Sequence, residues 1–508
     1  MSKIKKNEEF SSRWGLILAA LGMAIGAGNL WRFPRLAGQY GGTFLVLWLL
    51  FLFIWSVPIL LTEFSIGKRY KKGVIASISQ AAGRKYAWMG TFIALCTLGI
   101  TFYYSVVTAW GLRYLGMALD FFVMSKEPLS DHLAKDSEFL NTFWTNISTG
   151  DTTTVVLHLV AVAVGALVLY FGIQKGLEKV NKVLIPSLFI LLFLVSGIAL
   201  QEEGGIDGLK YMFRLDMALF SEPKVWIEAL SQSAWSTGAG WGLILTLSSY
   251  SREKEDVTLN ILISGIGNNF SSIVAGMAIL PSVFALANTE AEAISLLQSG
   301  NQALTFTVIP QLFAEIPGGD ILSIIFFSAF TLAAFSSLLT MIEMCIRLTI
   351  DLGISRRVSS LIAAAGCFIF GFPSAWSLDF FTNQDWVWGL GLIISGLFMV
   401  IVAHKEGLKS FKHKYIDKDS DIILPDWFYV ATMWAILPLG GILIYWWMSQ
   451  GYSENPWFTE DGVWNVIDVY SNATVVTQWG FILGIAVLFN NMIYKLYTPK
   501  KHESVVVD

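Results

Sequence analysis

Charge is scarce in this chain. Only 14% of its 508 residues are Asp, Glu, Lys or Arg, while 55% are hydrophobic. An ordinary soluble domain carries about 25% charge. That balance excludes a soluble domain built around one large core and leaves a chain that crosses a membrane many times. Cysteine is scarcer still. Cys96, Cys345 and Cys367 stand alone in apolar runs, with no C-x-x-C spacing, and so offer no disulfide framework and no thiolate metal cluster. The five histidines, His132, His158, His404, His413 and His502, are scattered. No nucleophile–base or metal-ligand spacing joins them, so the chain is not expected to be an enzyme. Nothing points to a nucleic-acid partner, and a net charge of −4 says little when the placement of charge matters more than its sum. A cleavable leader is not evident either: Ser2 to Glu9 is polar, and the first apolar run continues past signal-peptide length.

What is abundant is long apolar sequence. Runs of about 20 residues or more, enough to span a bilayer, fall near 14–37, 42–69, 88–122, 154–172, 177–200 and 224–250. Six more fall near 257–284, 319–350, 356–372, 384–404, 424–448 and 473–497. The expected fold class is thus an all-α polytopic membrane protein with twelve transmembrane helices. Lys3, Lys5, Lys6 and Arg13 precede the first span, and Lys68, Arg69, Lys71, Lys72, Arg84 and Lys85 fall between the second and third. Lys405, Lys409, Lys412, Lys414 and Lys418 lie between the tenth and eleventh, whereas 285–318, 373–383 and 449–472 contain no lysine or arginine. The positive-inside rule then puts both termini in the cytoplasm of a multi-pass protein of the cell membrane. The polar stretch 123–153 reads as external, and 285–318 reads as a structured external loop able to cap a cavity.

Two of the spans are interrupted where a membrane helix should be most regular. The first carries Gly22, Gly26 and Gly28, then Asn29, Arg32 and Pro34; the sixth carries Ser233, Ser236 and Thr237, then Gly238, Gly240 and Gly242. Glycine weakens a helix by about 1 kcal/mol relative to alanine, and close-set glycines invite the backbone to unwind. Backbone groups freed at membrane depth must be satisfied by protein, water or an ion. Gly22 and Gly26 are also a G-x-x-x-G pair, which by itself means only close helix packing. A second interruption in the other half is the pointer to an inverted-repeat transporter with its site at the midplane. The implied division is a cytoplasmic segment 1–13, a first repeat of helices 1–5 over 14–200 and an external loop 201–223. A second repeat of helices 6–10 over 224–404 follows, then helices 11–12 over 405–498 and a cytoplasmic tail 499–508.

The residues Gly22–Pro34, with their G-x-x-x-G-x-G-N-x-x-R-F-P pattern, resemble the neurotransmitter:sodium symporter family, which includes bacterial amino-acid transporters. The resemblance runs over roughly residues 10–450 and recurs at Glu63 with Gly67-Lys68-Arg69-Tyr70, and at Tyr103-Tyr104 with Trp110. It recurs again at Gly176 and Pro186, nine residues between them, and at Ala333-Ala334-Phe335-Ser336-Ser337 with Glu343 and Asp351. It implies sodium-coupled import of a neutral amino acid by alternating access, using two sodium ions. Sodium is a hard cation that wants several oxygen ligands, which unwound carbonyls, hydroxyls and amides supply. By resemblance, one sodium would sit on the Ala24 carbonyl, Asn29, Ser236 and Asn268, together with the substrate carboxylate. The other would sit on the Gly22, Ile25 and Ala333 carbonyls and the hydroxyls of Ser336 and Ser337.

By the same resemblance, the substrate carboxylate would meet backbone N–H groups near Gly26 and the hydroxyl of Tyr104, and its ammonium the carbonyls of Ala24, Trp235 and Ser236. Its side chain would face Met23, Ile100, Trp235, Gly238, Trp241, Ser337 and Met341. Family members that carry monoamines place an aspartate where this chain has a small residue, so an amine lacking a carboxylate would find no counter-charge. Trp241 stands where the leucine-carrying relative has phenylalanine, with Gly238 returning some volume, so the expected substrate is glycine, alanine or an N-methylated glycine. Larger hydrophobic amino acids, and a sensor that binds without transport, stay open as alternatives. Chloride also stays open: Gln232, Ser236, Asn268 and Ser272 resemble most of an anion site, but the tyrosine expected on the second span is Trp48.

Arg32 and Asp385 resemble an external gate pair, with Tyr104 and Trp235 as a lid over the substrate. Asp351 would pair with a basic residue near the N-terminus, around Lys6 and Asn7. Gly176 and Pro186 would let the cytoplasmic end of the fifth helix unwind and admit water to the second sodium. The lipid bilayer is the remaining partner, and the sequence is silent on oligomeric state.

Overall fold

The computed structural model describes residues 8–125, 128–316, 318–450 and 453–498. Lys6, Asn7 and the 499–508 tail, which the sequence places in the cytoplasm, lie outside the described residues. Among the described residues the protein is helical, with isolated bridges Thr149–Ser377 and Phe458–Trp464 as its only extended pairings.

Among the described residues nine helices, ten if the bent pair Asn472–Leu488 and Asn490–Tyr497 forms one span, are long and apolar enough to cross a membrane. Two of the expected twelve are absent from that set, and they are the first and sixth, the spans with clustered glycines. The first span is divided into Arg13–Ala24, a single turn Ala27–Leu30, and the start of Arg32–Phe51. The last of these runs on into the second span through a sharp bend at Gly41 (φ 56°, ψ −147°). The sixth is divided into Pro223–Ser236 and Leu243–Ser248.

Burial separates an inner set of spans from an outer set. The most apolar stretches of Arg32–Tyr70, Arg84–Met124, Val257–Leu286, Gly319–Asp351 and Leu378–His404 are 67–83% buried, against 33–39% for Thr152–Tyr170, Ile173–Ala199, Arg356–Trp376 and Asp426–Ser449. The outer set exposes large apolar side chains such as Leu167, Phe193, Phe370 and Trp434. In water such a surface would aggregate; against lipid it is the ordinary outside of a membrane bundle. Two of the inner spans, Gly319–Asp351 and Val257–Leu286, pack on Arg13–Ala24 of the broken first span, and from the outer set Lys179–Ala199 does so too.

Candidate functional site

The break in the first span begins where intrahelical donors turn away. Gly26 N–H goes to Asn29 Oδ1 (3.0 Å), Ala27 N–H to Tyr104 Oη (3.0 Å) and Asn29 N–H to the Gly26 carbonyl (3.1 Å). In a continuous helix those three N–H groups would serve the carbonyls of Gly22, Met23 and Ile25. The freed carbonyls face the Gly319–Asp351 helix instead. Ser336 Oγ lies 3.0 Å from Gly22 O, 3.3 Å from Ile25 O and 2.9 Å from Ala333 O. Ser337 Oγ lies 3.1 Å from Gly22 O, 3.0 Å from Met23 O and 3.3 Å from Ile25 O. Two hydroxyls carry two protons, fewer than the carbonyls they face. The result is a buried cluster of surplus oxygens, the donor set of a hard cation. All five residues named for the second sodium converge here.

A second cluster lies beside it. Asn29 Nδ2 donates to Asn268 Oδ1 (2.9 Å) and Ser272 Oγ (2.7 Å), and the Asn268 amide meets Ser236 Oγ at 2.9 Å. One end of the Asn268 amide stands 3.1 Å from the Ala24 carbonyl and 3.2 Å from the Ser236 carbonyl. As oxygen, that end accepts from Asn29 Nδ2 and joins the two carbonyls in a set of acceptors around a cation. As nitrogen, it would donate to both carbonyls but face Asn29 Nδ2 donor to donor. The orientation that satisfies Asn29 is thus the one that leaves oxygen facing oxygen, as an ion site requires. The residues named for the first sodium are all present in this cluster. Of those named for an anion, Asn268, Ser236 and Ser272 belong to it. Gln232 Oε1 is buried without a partner among the described residues, as is Nε1 of Trp48, whose ring packs beside those of Phe33 and Phe44.

The break in the sixth span is built differently. Gly238, Gly240 and Gly242 take φ of 69°, 90° and 74°, which side-chain-bearing residues rarely adopt. Its freed groups are tied to the surrounding helices. Ser56 Oγ donates to the Ser233 carbonyl (3.0 Å), with Thr237 Oγ1 2.9 Å from that hydroxyl; Gly242 N–H donates to Glu63 Oε1 (3.0 Å) and Thr97 Oγ1 to the Trp241 carbonyl (2.7 Å).

Between the two breaks lies a cavity of about 460 Å³. Met23, Ala24, Gly26, Tyr104, Trp235, Ser236, Gly238, Trp241, Ser337 and Met341 line it, ten of the eleven residues expected to touch substrate. Ile100 does not; it is wholly buried behind the wall. Two further details depart from expectation. The volume that Gly238 was expected to return is filled by Met23, whose Cε would stand 3.2 Å from a Cβ at Gly238. The Trp235 ring, at right angles to Trp241 with centroids 5.8 Å apart, fits only because Gly389 has no side chain to meet it.

The cavity continues past Arg32 and Asp385 to Lys224, Asn301 and Tyr470. Arg32 and Asp385 were expected to pair with each other. Instead Arg32 Nη2 reaches Ser231 Oγ (2.7 Å) and Glu228 (3.3 Å), and Asp385 accepts from Tyr103 Oη (2.8 Å). Each of these two buried charges has its own local partner. Glu228 was not among the expected gate residues; the signal that points to it is an acid inside a span, which wants a base nearby. At the opposite end, Asp351 meets Gly73 N–H (2.6 Å), Arg347 (3.3 Å) and Lys72 (3.9 Å). Gly176 sits in a wide π-helical turn, Ile173–Glu178, where a side chain would strike the Val168 carbonyl, and Pro186 lies inside the following helix.

The sequence pattern of the sodium:neurotransmitter symporter family matches residues 7–126 and 123–483. The chain belongs to that family. It is therefore a multi-pass membrane protein and a sodium-dependent transporter, not an enzyme. It is similar to a sodium-dependent transporter of Methanocaldococcus jannaschii, 29% identical over 366 residues, covering 72% of this chain and 74% of that one. The sodium-dependent transporter YhdH of Bacillus subtilis is 30% identical over 372 residues, covering 72% and 77%. The sodium-dependent serotonin transporter of Drosophila melanogaster is 27% identical over 440 residues, covering 78% and 70%. Among solved structures, that of MhsT in complex with L-phenylalanine superposes with a TM-score of 0.74 at 24% identity, covering 87% of this chain and 99% of that one. At that identity the likeness speaks for the fold.

Proposed function

We propose that this symporter imports a small neutral amino acid together with two sodium ions by alternating access. Both termini then lie in the cytoplasm, and the cavity opens outward past Arg32. The observation that carries the reading is the buried oxygen cluster of Gly22, Ile25, Ala333, Ser336 and Ser337, where carbonyls outnumber the protons available to them. The amino acid sits between the breaks as a zwitterion, its carboxylate near Gly26 and Tyr104 and sharing the sodium held at Ala24, Asn29, Ser236 and Asn268. Removing that ion leaves the carboxylate poorly paired, which couples the two loads directly. Trp241, with Met23 over Gly238, keeps the side-chain end short.

Each sodium gains about 2.3 kcal/mol per 100 mV of membrane potential and about 1.4 kcal/mol for a tenfold gradient. Two ions supply roughly 7 kcal/mol, about five decades of accumulation at tight coupling. Closure brings Arg32 and Asp385 together over Tyr104 and Trp235, and Asp351 closes the cytoplasmic side with Lys72 and Arg347. Ser272 in the Asn29–Asn268 cluster supports an anion beside the first sodium, so uptake is expected to fall when gluconate replaces chloride.

One observation favours a larger substrate: Met23 and Met341 are flexible enough to repack around a bigger side chain. A panel of labelled glycine, alanine, leucine and tryptophan under an inward sodium gradient separates the two. Preference for glycine or alanine supports the small-substrate reading. Preference for leucine or tryptophan overturns it while leaving the sodium sites in place.

A further inference from the structure

The fifth span carries one polar residue that the two sodium sites and the cavity leave without a role. Asn181 is wholly buried, and neither its Oδ1 nor its Nδ2 has a hydrogen-bond partner among the described residues. An unpaired buried amide is a standing cost that an apolar residue would avoid, so such a group calls for a polar ligand. Its position indicates which. A Cβ added at Gly22 would stand 2.8 Å from Asn181 Oδ1. The amide oxygen therefore lies against the residue whose carbonyl faces Ser336 and Ser337 at 3.0 and 3.1 Å.

Three residues earlier on the same helix, Glu178 fills the space over Gly15 and accepts from Ser11 N–H (2.8 Å) and Lys182 (2.7 Å). Positions i and i+3 share a helix face. Asn181 and Glu178 thus form a short polar track along the first span, from Gly22 back towards the N-terminus. The helix that carries them is weak at both ends of this track. Glu178 is itself the last residue of the wide turn Ile173–Glu178, and Pro186 lacks the N–H that would serve the Lys182 carbonyl.

We propose that Asn181 is the first oxygen ligand to receive the second sodium as it leaves its cage for the cytoplasm, with Glu178 the next. This rests on the two-sodium reading above. Asn181 is not part of the resting cage; it lowers the barrier to departure by giving the ion an oxygen before the cage lets go.

The test uses the full-length protein in proteoliposomes with labelled alanine, comparing wild type with Asn181→Leu and Asn181→Ser. Three quantities are read: equilibrium alanine binding against sodium concentration, net uptake into sodium-free vesicles, and alanine exchange with equal high sodium on both sides. Asn181→Leu is expected to leave the sodium dependence of binding within about twofold and exchange nearly intact, while net uptake slows about tenfold. Asn181→Ser, which keeps an oxygen, is expected to restore most of the net uptake. Unchanged net uptake in Asn181→Leu overturns the proposal, as does an equal loss of binding, exchange and net uptake, which marks a packing role. A Ser336→Ala protein with unaltered sodium dependence removes the second site itself, and the proposal with it.

Discussion

The two broken spans interrupt their helices by opposite means. In the sixth, three glycines in left-handed conformations make the break, and Ser56, Glu63 and Thr97 from neighbouring helices hold its freed groups. In the first, no glycine has a positive φ, and the break is made by donors that leave for Asn29, Tyr104 and Gly26. Its carbonyls are left facing serine hydroxyls and the Asn268 amide. One break is closed upon the protein. The other is left rich in oxygen. Glycine clusters alone do not distinguish these cases; the fate of the released hydrogen-bonding groups does.

Substitutions can sharpen or break that contrast. The largest effect is expected where oxygens are removed from the first break. Replacing both Ser336 and Ser337 by alanine removes two ligands worth about a factor of ten each. Sodium-driven uptake should fall about a hundredfold, with the sodium curve moved to higher concentration. An unaltered curve would sink the assignment of the oxygen cluster.

Next come two glycine variants chosen to split stability from transport. Gly240→Ala forces a side chain into φ 90° and within 2.8 Å of the Gly396 backbone nitrogen. Strain of about 1–2 kcal/mol should lower the thermal midpoint in detergent by about 1–2 °C in a chain of 508 residues. Gly26→Ala meets only side-chain ends, Tyr104 Oη at 2.6 Å and Ser337 Oγ at 2.9 Å. It should keep the midpoint and lose most transport. If both variants lose stability alike, the two breaks are not built on different principles. The smallest effect belongs to Gly28→Ala, where a Cβ would find nothing within 4 Å. Its transport should stay within about twofold of wild type, since one helical methyl changes propensity by about 1 kcal/mol or less.

The interruptions were legible in the sequence because their chemistry is local: clustered glycines beside Asn29 or Thr237 conflict with a membrane helix wherever they occur. The convergence of Ser336, Ser337, Asn268 and Ser236 on those breaks came from the resemblance of motifs. Pairings that depend on side-chain direction were not legible. Arg32 has more than one acid within reach of its long side chain, and the conformation of the bundle decides that it meets Glu228 here and not Asp385. The filling of the space over Gly238 by Met23 joins residues far apart in the chain and depends on a flexible thioether that no spacing rule follows. Ile100 lies on the expected span, yet the wall in front of it buries it completely. Asn181 gave no signal at all until the structure set its amide against Gly22.

The central claim is that the oxygen-rich first break binds sodium whose gradient drives uptake. The most direct measurement is the steady-state accumulation of labelled alanine in proteoliposomes, with sodium high outside and absent inside, then with the same sodium on both sides and no membrane potential. The account predicts an internal concentration far above the external one in the first condition, and mere equality in the second. Equal final levels in both conditions would contradict it, because a pathway that only equilibrates its solute has no use for the site described.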